Sequence, residues 1–573
     1  MRHFIYSMRR HHLSYSLWAS KAPIREELFG LERLEEHAIS LAKAQNVSDA
    51  TTAVLPLHKR LDQNSIALLG LYRDSATELE AGRKVVPAAE WLLDNYHLVE
   101  EQIRNVRDDL PVGYYRQLPK LIDGPLAGYP RVFGIAWAFV AHTDSHLDPE
   151  VLTRFINAYQ TIQPLTIGEL WAVAITLRIV LIENLRRLAD QIATGRAERQ
   201  DADQLTEKLL ISGCSHSALQ DDISSRSSEH LSEVFAAQLA KRLRDQDPKT
   251  TPALEWLEHR LKAQDQSVDD VVQHAQQRQG ASNVSIRNVI TSMHLISDID
   301  WSELFEKVSY VDRELRADCA FVAMDFATRN LYRSAVEQIS RGTDYSEVDI
   351  AKRVINTARK AYKDSNTKEI DAIERQRLSD TGYYLIDQGR KDFEDSVQYR
   401  PTLRVRINRL HIRLGVTGYV GSIAVIASCF LALSLFIFGP AALSFQTWLL
   451  WFIVGFIPAT EVASAIVHRL VTWRFGAVIL PGLELKSGVP ISLRTLIAVP
   501  TLLTSKADLL EQIERLEVHY LSGIEGDVSF ALLTDGVDAD QQELASDVPL
   551  LALATTEIAR LNTLYKAGPS GYR

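Results

Sequence analysis

The sequence predicts a mainly α membrane protein in three parts. A large helical region covers residues 1–400, a two-helix hairpin covers 401–475, and an α/β segment runs from 490 to 573. Three observations carry this reading. Apolar residues recur at helical spacing through the first part. No charged side chain occurs between Arg413 and Glu461. Two apolar runs flanking an amphipathic helix follow the hairpin.

In the first part, Leu31, Leu34, Ala38 and Leu41 fall at helical spacing, and the period returns in Trp91–Val106 and Leu170–Leu188. No alternating strand pattern interrupts it, so helices are expected throughout. Breaks are expected at Pro111-Val112-Gly113, at Asp123–Pro130 and around Gln277–Asn283. His142, Asp144, His146 and Asp148 alternate ordinary metal ligands. Alternate spacing gathers ligands on one side only in a strand, whereas Asp148-Pro149-Glu150 reads as a helix start. A polar corner between helices is therefore expected there, and no metal site. Trp91-Leu92-Leu93 and Trp137-Ala138-Phe139 are read as core before they are read as ligand platforms.

The hairpin comes from Val416–Phe438 and Thr447–Val467, apolar runs divided by Gly439-Pro440, with Glu461 as the one charge in either. Each is long enough for a hydrocarbon core of about 30 Å, which takes about 20 helical residues. Only a helix satisfies its own backbone in lipid, so two spans about 416–438 and 447–467 are expected. Arg400, Arg404, Arg406, Arg409 and Arg413 precede the first span; His468, Arg469 and Arg474 follow the second; the connecting loop is uncharged. Positive residues stay inside, which puts both ends in the cytoplasm. Small residues recur every fourth position, Ala424, Ser428 and Ala432 in one span and Gly455, Ala459 and Ala463 in the other. Such rows let backbones approach closely, against each other or against further spans. Glu461 is read as an anchor near the inner interface.

Composition narrows the class. The chain has 573 residues and a net charge of −10, which gives no reason to expect nucleic acid as a partner. Cys214, Cys319 and Cys429 are far apart, so neither a disulfide framework nor a CxxC metal pair is present. Met1–Trp18 is basic and aromatic without a continuous apolar core, and is not read as a signal peptide.

In the last part, Arg494–Pro500 reads as a buried parallel strand, and Ser505 with Asp508 as a helix start. Leu509, Ile513, Leu516 and Tyr520 line one helix face, Gly523 stops it, and Val528–Leu533 forms a second strand ending in Thr534-Asp535-Gly536. In such βαβ units ligands bind beyond the carboxyl ends of the strands. That edge carries Pro500, Thr501 and Asp535. Pro500–Ser505 has no glycine, which excludes a dinucleotide fingerprint. A carboxylate at the second strand's tip suits a nucleotide's ribose or base, although Asp-Gly after a strand is also an ordinary turn.

Several longer motifs carry a family resemblance. Ile24–Gly30 leading into Glu32–Ala38 resembles the opening of bacterial cyclic β-1,2-glucan synthases, as do Gly134–Trp137, Met324–Arg329 and Gly382–Arg390. Arg494–Ser505 and Phe530–Asp535 resemble the entry to that family's glycosyltransferase domain, so that the likeness runs along essentially the whole chain. The resemblance implies a multi-pass enzyme of the bacterial inner membrane that uses UDP-glucose to build and cyclise a β-1,2-glucan. It implies a nucleotide-sugar, GT-A-like domain, with Asp535 as its first acidic residue and Pro500 and Thr501 shaping the pocket floor. Family members continue into a metal-binding Asp-x-Asp, a catalytic acid, Gln-x-x-Arg-Trp and a phosphorylase-like region, which the resemblance places beyond Arg573. The α/β segment is therefore expected to be incomplete, with no catalytic residue or metal ligand of its own, and Mg or Mn to be held by the complete enzyme. Two strands do not make an independent sheet, and the helix around Ile558, Leu561 and Tyr565 is expected to have little to cover. The expected partners are the lipid bilayer, UDP-glucose in the complete enzyme, and further subunits or a separately encoded remainder. The alternative is a membrane-anchored helical scaffold without catalysis.

Overall fold

The computed structural model describes residues 20–48, 54–82, 85–211, 231–244, 251–365, 371–438, 444–475, 477, 480–523, 525–541 and 544–565. Met1–Trp18, Cys214 and the Gly439-Pro440 turn lie outside the described residues. The chain forms two compact units, Met1–Ala317 with Val336–Asn356, and Asp318–Ala335 with Thr357–Arg573. The helical region read as 1–400 is thus divided between them, and the second unit also contains the segments read as 401–475 and 490–573.

The first unit is built around one long helix, Ile167–Ile211, against which Leu57–Glu80, Tyr96–Asp109, Arg131–His142, Glu233–Arg244 and Val268–Asp298 pack. Its middle, from Val173 through Leu188, is almost entirely buried and carries polar residues among the apolar ones. One of these is Glu183, whose side chain is completely buried. It accepts from Arg60 at 2.8 and 2.9 Å, from Arg187 at 2.8 Å and from Asn64 at 2.8 Å. Burial alone pushes this carboxyl up, but the Arg60 hydrogen bond and the charges of Arg60, Arg187 and Arg186 outweigh it and hold it low. A second buried pair, Arg131 on Glu169 at 2.6 Å, fixes the start of the same helix.

Helix throughout needs one correction. The segments Val47–Ser48 (β1) and Lys120–Leu121 (β2) form a small antiparallel ladder. It closes the loop at Asp123–Pro130, where Leu121 N–H donates to Tyr129 O at 2.9 Å. Gly134 keeps it close to Arg131–His142, since a Cβ there would stand 3.0 Å from Gln45 Nε2 and 3.1 Å from Leu121 Cδ1. The break expected around Gln277–Asn283 is not there either. Val268–Asp298 runs on as one helix, started by a Ser267–Asp270 capping box and buried along Ser285, Ile286, Val289, Ile290 and Met293. Packing of that face outweighs the roughly 1 kcal/mol that Gly280 costs a helix. The period over Trp91–Val106 belongs to two helices, Pro87–Asp94 and Tyr96–Asp109, and Trp91 is exposed rather than core.

The corner after Arg131–His142 is polar, as expected. Asp144 and Ser145 take left-handed φ of 48° and 63°. The turn is held by Ser145 N–H to Val140 O at 3.0 Å, by Ser285 Oγ to Asp144 at 2.5 Å and by Asn184 Nδ2 to Ser145 Oγ at 2.8 Å. Asp148 caps the next helix by accepting from Glu150 and Val151 N–H, with Pro149 at its first position. His142 stacks on Phe29 at 4.0 Å and bonds Glu27 O through Nδ1 at 2.7 Å. Among the described residues no three His, Cys, Asp or Glu come together as a metal site.

In the second unit, two helices are long and apolar enough to cross a membrane, Leu403–Phe438 and Phe445–Phe475. The first is broken at Gly415 (φ 48°, ψ −131°), which separates the arginine-bearing stretch from the apolar one at the boundary the sequence suggests. At its base Arg409 and Arg390 both pair with the buried Glu394, at 2.6 and 2.8 Å. Arg474 donates to Asn408 at 2.8 Å, joining the two helix bases. The seam uses only one of the two small-residue rows. Ala463 is buried, and a Cβ on Gly455 would stand 3.0 Å from Leu431 Cδ2. Ala424, Ser428 and Ala432 are exposed, because Ala427 and Leu431 face the partner helix instead. Glu461 is exposed.

Beyond the second helix the chain returns to a short segment of the same unit. Asp325 N–H donates to Gly482 O at 3.0 Å, Glu484 N–H to Ala323 O at 2.8 Å, and Arg329 pairs with Glu484 at 3.1 Å. The βαβ unit follows: Thr495–Leu502 (β3), helix Lys506–Leu521 and Val528–Asp535 (β4), the strands parallel and paired Thr495 to Val528 through Leu502 to Asp535. Helix Asp547–Leu564 has more to cover than expected. Its Leu550, Ala554 and Leu561 join Leu503, Leu509 and Ile513 in a small core, and Tyr565 Oη donates to Glu517 at 2.5 Å.

Two outcomes test these buried charges. Glu183→Gln leaves three guanidinium groups around a neutral side chain, and is expected to destabilise the protein by about 3–5 kcal/mol in denaturant titration of detergent-solubilised material. Glu347 accepts from Ile167 N–H at 2.7 Å; burial lifts its carboxyl to about 7, opposed by that amide and assisted by Glu337 and Glu169. Between the ordinary carboxylate range and pH 7 the unfolded chain has released this proton while the folded one keeps it, so stability falls as pH climbs through that window. Glu347→Gln should raise the melting temperature at pH 8 and leave it nearly unchanged at pH 4.

Candidate functional site

The carboxyl edge of β3 and β4 follows from local sequence. β-Branched and aliphatic residues extend Thr495–Val499, and Pro500 sits where its missing N–H is harmless in a strand with a free edge. Ser505 accepts from Asp508 N–H at 3.2 Å and starts the connecting helix. Asp508 bonds Ser505 and Thr504 hydroxyls, both at 2.7 Å, which hold its carboxyl below the usual range. At the other end Arg494 pairs with Asp527 at 3.0 Å. There Gly488 and Gly526 permit a bridge in which a Cβ on Gly526 would lie 2.1 Å from Val489 N.

Register sorts the three residues singled out by sequence. In paired parallel strands, partners point to the same face and neighbours to opposite ones. Pro500 opposite Leu533, and Leu502 opposite Asp535, share one face; Thr501 opposite Thr534 lies on the other. Thr501 is buried on the side covered by the two helices. Pro500 and Asp535 are exposed, and the Asp535 carboxylate accepts only from its neighbour Gly536 N–H at 2.9 Å, among the bonds of described residues. Asp535 O accepts from Leu503 N–H at 2.8 Å, which fixes the strand's end. The structure therefore brings Pro500 and Asp535 to one open face and separates Thr501 from them.

That open face is apolar. Leu496 and Leu533 are each 63% exposed and Leu502 57%, on strands whose opposite face is packed. Parallel sheets are characteristically covered on both sides. The sequence reads the apolar runs at Leu496 and Phe530 as strands of a sheet too small to stand alone, without saying which face is uncovered. The signal was the two-residue register, which assigns alternate residues to a face that nothing in the segment covers. Chemically, the edge offers one free carboxylate acceptor beside a flat apolar surface, suited to a hydroxyl or ring N–H donor. One carboxylate does not fit a divalent cation, which takes several oxygen ligands.

Over 95% of its length the chain is 31% identical to cyclic β-(1,2)-glucan synthase NdvB of Rhizobium meliloti (strain 1021). It spans about a fifth (19%) of the length of that curated relative. No protein-family model matches the chain.

Proposed function

Because the chain belongs by sequence with the cyclic β-1,2-glucan synthases, we propose that it supplies the membrane hairpin and the opening of the nucleotide-sugar domain of a membrane glucosyltransferase. The observation that carries the reading is the open face of the β3–β4 sheet. A parallel pair with leucines more than half exposed on one face, and a carboxylate free at its carboxyl edge, suits a sheet covered on both faces with a ligand site at that edge.

In this reading UDP-glucose is the donor. Asp535 accepts a hydrogen bond from its ribose or base, and Pro500 closes the floor on the same face. Thr501 faces the helices, so its part is to hold the strand end rather than to touch the ligand. The diphosphate's charge calls for Mg or Mn, held in the complete enzyme. No step of transfer is assigned to this chain's own residues, which bind and position. In this reading both helix ends lie in the cytoplasm, which the arginines at the helix bases support.

With the gene expressed from its native locus, Asp535→Asn is expected to lower glucose incorporation from UDP-glucose into membranes by about tenfold or more, the loss of one well-placed polar contact. Unchanged incorporation would remove Asp535 from the site. For topology, a reporter active only in the periplasm should score when fused after Ala441 and stay silent after Arg474; the opposite pattern inverts the hairpin.

A further inference from the structure

The first unit contains a cleft of about 730 Å³ that the sheet-edge reading does not use. Its walls are the Asp190–Arg199 stretch of the long helix, the helix Glu233–Arg244, and the middle of Val268–Asp298, with Lys21–Pro23 along the rim. The size suits a compact ligand rather than a polymer face.

The lining is polar in a particular way. Its two carboxylates are engaged, Asp190 by Arg186 and Glu198 by Ser232 Oγ at 2.6 Å. Two of its cations are engaged as well, Arg244 by Asp269 at 2.9 Å and Arg278 by Glu233 at 3.0 Å. Lys21, Arg199 and Lys241 remain, and among the described residues none has a carboxylate within ion-pair distance. Arg199 is the most telling. It is half-buried, and its Nη2 stands 3.9 Å from where a Cβ on Gly195 would be, so the guanidinium folds back over the glycine into the cleft. Burial pulls its affinity for a proton below the ordinary value, and only the neighbouring Glu198 opposes this. An unpaired, partly desolvated cation is costly until an anion meets it.

Carboxamides supply most of the remaining polar lining, beside apolar side chains such as Val86, Ile192, Val234 and Val272. Gln191, Gln276, Gln279 and Asn283 face the same space, and Asn283 Oδ1 is buried without a hydrogen-bond partner. Carboxamides both donate and accept, which matches sugar hydroxyls. Among the described residues no aromatic ring lines the cleft, so none of them would stack on a nucleobase there. We propose that this cleft binds a small phosphorylated sugar, with Arg199 and Lys241 on the phosphate and Asn283 and the glutamines on the hydroxyls. The proposal is independent of the glucosyltransferase reading, since it uses none of the same residues.

The test is calorimetric titration of the purified full chain in detergent at low salt, with glucose 6-phosphate as probe and glucose and inorganic phosphate as comparisons. Glucose 6-phosphate is expected to bind, with each half of the molecule at least about tenfold weaker alone. Arg199→Gln with Lys241→Gln should weaken it by about tenfold or more, since Arg and Lys are the phosphate-binding side chains. Should the double variant fail to fold, Lys21→Gln with Lys241→Gln, both at exposed positions, is expected to weaken binding in the same direction. No binding of glucose 6-phosphate, binding unchanged by the substitutions, or equal binding of inorganic phosphate would overturn the proposal.

Discussion

A long stretch of chain without charge, from Arg413 to Glu461, is the constraint on which the second unit depends. Such a stretch must satisfy its backbone internally, which makes it helical, and must keep its apolar surface away from water. The two helices leave most of that surface exposed, with about a tenth of each apolar window buried. The residues at their base are arranged differently. Glu394 is buried and holds two arginines, one from each side of Tyr399, and Arg474 reaches Asn408 across the pair. Charge that would be costly at the edge of lipid is thereby neutralised or bonded.

Three of the motifs that suggested a family, Ile24–Gly30, Met324–Arg329 and Gly382–Arg390, make structural contacts. Ile24–Gly30 is a strap tied to the helices by Ile24 N–H on Asn184, Glu26 N–H on Ala141 O and Phe29 N–H on His142 O. Met324–Arg329 receives the chain as it leaves the second apolar helix. A Cβ on Gly382 would meet Tyr332 Oη at 2.0 Å and so displace the ring, which donates to Asp380 at 3.1 Å. These positions are specific because backbone passes close to backbone or ring there. Their chemistry is that of fit, and the glucosyl transfer suggested by the relative is not written in them.

Elements set by period or by a local cap were readable in the sequence. The span starting at Val416, the Asp148 helix start, the Ser505 cap and the parallel pair all follow from spacing and side-chain type within a few residues. What escaped depended on distant partners. Gly280 reads as a break until the buried face of Val268–Asp298 is seen. Ala424, Ser428 and Ala432 look like a seam until Ala427 and Leu431 are found facing the partner helix. Pro500, Thr501 and Asp535 read as one edge, and the strand register, known only once the strands are paired, puts Thr501 on the other side. The Arg199 cleft was invisible because its walls come from three helices far apart in sequence.

The break at Gly415 gives the first apolar helix two axes instead of one. A continuous rod responds to a thicker or thinner bilayer by leaning as a whole, carrying its cytoplasmic end along. A rod jointed at the water boundary can lean on the lipid side alone. Were the pair to span a bilayer, the arginine-bearing half, fastened through Arg409 to Glu394, would hold its height while the apolar half changed slope, and whatever is mounted on that base would keep its distance from the headgroups as thickness varied.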